Sequence, residues 1–97
     1  MPYHHLLDVP SIGPRAQDDL HLLGITSVDA LAASDPDDLF VRLEAATGLR
    51  QDPCVLDSFR CAIYAVTTPT PDPARLQWWW WSWARKSGRA GTVPRRG

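Results

Sequence analysis

Ninety-seven residues with 44% hydrophobic and 22% charged side chains make one ordinary globular domain and exclude a disordered or collagen-like chain. No apolar run approaches the roughly 20 residues of a membrane-spanning helix. The N-terminal MPYHHLLDVP has no basic patch ahead of an apolar stretch, so no secretory leader is read there and a cytoplasmic, reducing location is expected.

The net charge of −1 hides an asymmetry. Every acidic residue lies at or before Asp72, together with Arg15, Arg42, Arg50 and Arg60. From Arg75 onward the remaining basic residues follow with no acid among them. The pattern is a basic arm on an acidic body, suited to a polyanion or to the body itself.

Taken in chain order, helix starts and stops are explicit. Asp-Pro occurs at Asp35-Pro36, Asp52-Pro53 and Asp72-Pro73. The aspartate caps free amides of a first turn, and proline suits the first helical position. Gly13-Pro14 is a fourth start without the carboxylate, and Ser27 is a further cap. Gly24, Gly48 and Gly88 follow apolar-periodic stretches as left-handed ends. The spacing predicts helices over 3–8, 14–23, 28–33, 36–47, 53–66 and 73–86, and no strand. Thr67 to Pro71 reads as an extended connector. The expected organisation is a core domain over 1–66, a connector over 67–72, a Trp-rich helix over 73–87 packed on the domain, and a disordered basic tail over 88–97.

Within these helices, Leu39, Leu43 and Ala46 share one face beside Phe40, and Leu56, Phe59, Ile63 and Val66 form a buried stripe. Cys54, Ser58, Cys61 and Ala65 make a second, small-residue stripe open to a neighbouring helix. Asp57, Arg60 and Tyr64 are assigned to the wetter side. Seven residues apart on one helix, Cys54 and Cys61 sit roughly 10 Å apart, beyond the limit of about 7 Å for a disulfide. They read as structural thiols. Ligand spacing for a metal is lacking, and no cofactor loop or nucleophile–base pair is evident, so the chain is read as non-enzymatic with no metal and no cofactor.

The most specific local signal is Leu7-Asp8-Val9-Pro10-Ser11-Ile12-Gly13-Pro14, running on to Leu23-Gly24-Ile25. It resembles the helix-hairpin-helix motif of DNA repair and recombination proteins, whose hairpin reads Pro-Gly-Ile-Gly. Here Ser11 replaces the first glycine, while Ile12, Gly13 and Pro14 fit. The resemblance implies an all-α fold of five to six short helices around a helix-hairpin-helix (SAM-like) core. It also implies a phosphate contact at the start of a helix, with Ser11, Ile12, Gly13, Arg15 and Gln17 as the candidate nucleic-acid-binding residues. Gly13 is expected to combine a positive φ with close approach to another molecule's backbone. Asp8, Asp18 and Asp19 oppose this electrostatically. A second, degenerate hairpin is read around Ser34-Asp35-Pro36.

The likeness extends further. Val9 to Pro14, Leu22-Leu23-Gly24-Ile25, Asp35-Pro36, Arg50-Gln51-Asp52-Pro53-Cys54-Val55, Phe59-Arg60-Cys61-Ala62 and Pro71-Asp72-Pro73 ahead of a tryptophan cluster resemble a small bacterial family named for a pathogenicity locus. Some of its members are labelled mitomycin resistance proteins. The resemblance implies a link to DNA damage and little about activity.

Trp78-Trp79-Trp80-Trp81-Ser82-Trp83 has two readings. On a continuous helix from Pro73, Leu76, Trp79, Trp80 and Trp83 share a face and are expected to close the core. Trp78 and Trp81 then lie off that face, forming with Arg75, Arg85 and Lys86 an auxiliary contact. Its candidate partners are unpaired DNA bases, a protein or second copy of the chain, and a membrane surface.

Overall fold

The computed structural model describes residues 3–88, which form an all-α domain of five α-helices and two 3-10 turns. A 3-10 turn, Leu6–Asp8, leads into α1 (Pro14–Leu22), α2 (Val28–Ala32), α3 (Pro36–Thr47) and α4 (Pro53–Thr67). A second 3-10 turn, Pro73–Leu76, precedes α5 (Trp78–Lys86).

The capping chemistry matches the sequence reading. Asp35 Oδ2 accepts the Asp38 amide at 3.0 Å, Asp52 Oδ1 the Cys54 amide at 2.8 Å, and Asp72 Oδ1 the Ala74 amide at 3.0 Å. Ser27 Oγ accepts the Ala30 amide at 3.0 Å. Each satisfies a donor the helix itself leaves free. Gly48 closes α3 at φ 69°, donating its amide to the Glu44 carbonyl at 2.9 Å. Thr68, beyond α4, is extended, as expected for the connector.

Helix α4 is the hub, contacting α2, α3, α5 and the Pro73–Leu76 turn. Its inner face supplies Phe59, Ala62, Ile63 and Val66 to one core, joined by Leu6, Val9, Ile12, Leu20, Ile25, Val28, Leu31, Leu39 and Leu43. The small-residue stripe makes polar contacts with two turns. Ser58 accepts a hydrogen bond from the Ser11 turn, and the Cys61 thiol donates to the Arg75 carbonyl at 3.6 Å.

Five expectations are corrected. The first predicted helix is only the 3-10 turn Leu6–Asp8. Ala46 is exposed and Leu56 only half-buried. Asp57 does not face water: it is fully buried, held by Arg85 from α5. The predicted helix over 73–86 is broken at Gln77, whose φ of −106° and ψ of 125° are extended. That break rotates the tryptophans relative to a continuous helix, since each residue turns an α-helix by about 100°. The basic tail, read as disordered, lies almost entirely outside the described residues.

Candidate functional site

Residues 9–15 form the tight turn into α1. Val9 and Ile12 are buried, and the Ile12 amide donates to the Val9 carbonyl at 3.1 Å. Ser11 takes a left-handed conformation, φ 71°, alone among the described non-glycine residues. Its hydroxyl donates to the Ser58 carbonyl at 2.7 Å, tying the turn to α4. Ser11 therefore occupies the conformation that the first glycine of the Pro-Gly-Ile-Gly pattern would adopt freely, and a hydrogen bond offsets the steric cost.

Gly13 differs from expectation. Its φ of −94° and ψ of −176° are open to any residue, so backbone conformation does not call for glycine. A Cβ there would meet nothing within 4 Å. What glycine provides at this position is an uncovered backbone at the N-terminus of α1. The Gln17 amide donates to the Gly13 carbonyl at 2.9 Å, closing the first turn. The amides of Gly13, Arg15 and Ala16 precede that bond, in the part of a helix that lacks internal acceptors and carries partial positive charge.

Arg15 is exposed beside this surface, and Gln17 is half-buried. Asp18 is exposed, and Asp19 borders the same groove, a cavity of ≈ 310 Å³ running past Gly13, Pro14 and Arg15 to Cys54 and Phe59. Burial pushes the Asp19 carboxyl above its ordinary range, against the pull of Arg15. Ile12 is an anchor within the core rather than a contact.

On α5 the auxiliary set divides. Trp81 is 2% exposed, its ring 5.6 Å from Tyr64 and its indole N–H donating to the Arg75 carbonyl at 2.9 Å. Arg85 is engaged with Asp57. The Arg75 guanidinium lies 4.7 Å from the Trp80 ring centroid. Only Trp78 and Lys86 remain on the outside as expected. Trp79 and Trp83, assigned to the core by sequence, are 55% and 48% exposed, and with Trp78 and Lys86 they border an open groove of ≈ 530 Å³ floored by Ser82. The register error follows from Gln77. Leu76 belongs to the preceding turn and not to the helix of the tryptophans.

Among the described residues, no helix is long and apolar enough to cross a membrane, and no three His, Cys, Asp or Glu side chains gather as metal ligands. A model of the family Cdd1, described as "Pathogenicity locus", matches residues 2–87. The chain belongs to that family. Part of it is also similar to the mitomycin resistance protein McrB of Streptomyces lavendulae, 44% identical over 41 residues. That match takes in 42% of this chain and 39% of the relative's length. No solved structure matches the chain.

Proposed function

We propose that this pathogenicity-locus protein is a non-enzymatic, cytoplasmic DNA-binding accessory protein that holds the phosphate backbone through a helix-hairpin-helix. The observation that supports the reading is the turn at residues 9–15. A bare, exposed Gly13 backbone stands at the N-terminus of a nine-residue helix, with Arg15 beside it. A phosphate oxygen suits such a group of backbone donors, and the missing Cβ lets it approach. The mitomycin resistance name of the partial relative fits a role in tolerating DNA damage. The acidic neighbours Asp18 and Asp19 make the contact weak and non-specific, dominated by counterion release.

The test is fluorescence titration of single- and double-stranded oligonucleotides across a salt series, with the full chain and with Arg15→Glu. The reading expects binding that falls steeply with salt and is lost in the variant. Absence of binding, or binding indifferent to Arg15, defeats it.

A second reading, a protein-interaction module, is favoured by the exposed faces of Trp78, Trp79 and Trp83. Tryptophan of this kind is frequent at interface hot spots. It expects a dimer in sedimentation, or a pull-down partner, that disappears when Trp79 and Trp83 become alanine. A monomer whose captured proteins are unchanged by the double substitution counts against it.

A further inference from the structure

A cavity of ≈ 520 Å³ lies between the start of α3, the second half of α4 and the Pro73–Leu76 turn, away from both surfaces above. That volume is in the range that holds small organic ligands. Ala33, Pro36, Ile63 and Trp81 give it apolar walls, and Arg60, Arg75 and Tyr64 line it as well.

The polar groups of this lining are donors in excess. Arg60 is 10% exposed and spends one Nη2 contact, 3.0 Å, on Asp37. Its Nε–H is buried with no protein acceptor. Arg75 makes no ion pair among the described residues, and its Nε–H is likewise buried with no protein acceptor. Both side chains line one cavity, but these two Nε–H groups are closed off from it; what Arg75 offers the cavity is the end of its guanidinium, whose Nη groups make no hydrogen bond among the described residues. The Tyr64 hydroxyl accepts the Asp72 amide at 2.8 Å, which leaves its own proton to donate.

The arginine is also held in place. Its guanidinium stands 4.7 Å from the Trp80 ring and 6.0 Å from the Tyr64 ring, while its carbonyl accepts from Trp81. A guanidinium stacked on aromatic rings, with no carboxylate to neutralise it, loses little freedom on meeting an anion. Asp35 also lines the cavity and disfavours an extended polyanion. The ligand is therefore small, with one anionic head and an uncharged apolar body.

We propose that this cavity is a binding site for a small organic anion, a phosphate or carboxylate head on an apolar or aromatic body, with Arg75 and Tyr64 receiving the head and Trp81 and Ile63 the body. The site is independent of the DNA reading.

Phenyl phosphate is the probe, titrated into the full-length protein and followed by tryptophan fluorescence, because Trp81 lines the cavity. Saturable quenching is expected. Loss of the charge-assisted hydrogen bonds in Arg75→Gln weakens it by about tenfold or more. Ala33→Phe, which puts a bulkier side chain at the exposed edge of the cavity and leaves the arginine stack untouched, weakens it. Arg15→Glu leaves it unchanged, so failure of the hairpin reading does not decide this one. No saturable response overturns the proposal. So does equal affinity in Ala33→Phe, which serves as the deciding variant should Arg75→Gln unfold.

Discussion

Asp57 and Arg85 form a two-pronged ion pair between α4 and α5, Nε to Oδ1 at 3.0 Å and Nη2 to Oδ2 at 3.0 Å, with the carboxylate fully buried. Deleting Arg85 leaves that charge inside without a partner. Arg85→Ala is expected to lower stability by about 3 kcal/mol, the lower end for a buried pair because the arginine is partly exposed. Asp57→Asn keeps acceptor and shape and costs about 1–2 kcal/mol. Urea unfolding measures both, and a loss below about 0.5 kcal/mol for Arg85→Ala would reduce the pair to a surface contact.

Ser11 separates two effects at one position. Ser11→Ala keeps the left-handed strain and removes the bond to the Ser58 carbonyl, so it costs about 1–2 kcal/mol. Ser11→Gly loses the same bond but relieves the strain, and the net change stays within about 0.5 kcal/mol. Thermal melts that rank glycine below alanine contradict this account.

Gly13→Ala dissociates stability from binding. The backbone is extended and a methyl group has room, so the variant folds as stably as the parent or gains up to about 1 kcal/mol. If the proposed DNA contact holds, oligonucleotide affinity falls nonetheless, because the methyl stands where the phosphate would approach. Unchanged affinity in a normally folded Gly13→Ala removes the hairpin from the contact.

The tryptophans are unequal despite their identical chemistry. Trp81→Ala costs about 3–5 kcal/mol by emptying a buried site, whereas Trp79→Ala costs under about 1 kcal/mol. Denaturant titration of the two variants decides between this ordering and the one a continuous helix would impose.

Burial pushes the Cys61 thiol up to about 11 from 9.0. The folded state then holds its proton after the unfolded state has released it. The associated stability is present below pH 9 and is lost as pH rises from about 9 to about 11. Cys61→Ala should flatten the pH–stability curve across that window. At pH 8 a thiol reagent should modify Cys54 in the folded protein and reach Cys61 only on unfolding.

Helix boundaries were legible because each is marked by a side chain acting on its own backbone: Asp35, Asp52, Asp72, Ser27 and Gly48 need no tertiary partner to make their case. Faces were legible where the apolar pattern was sparse, as in Phe59, Ile63 and Val66. They were not legible in α5, because five tryptophans within six positions carry almost no periodicity and nothing local flags the extended Gln77. Asp57 escaped for a different reason. A carboxylate on an amphipathic helix reads as solvent-facing, and its partner Arg85 is distant in sequence. Arg60 and Arg75 likewise come together only in three dimensions. In the turn before α1 the left-handed position was expected at Gly13 and lies at Ser11 instead.

The interrupted helix at Gln77 has a bearing on how this chain finds one arrangement. A slip of one residue that puts Trp80 in the site of Trp81 would still give the core an indole, whereas the opposite slip would put Ser82 there. Discrimination must come from side chains that are not tryptophan. A step in either direction would bring Ala84 or Lys86 opposite Asp57 in place of Arg85, and neither offers its carboxylate a planar fork. The ion pair thus works as a key for alignment, fixing which indoles are sealed inside and which are presented to the surroundings.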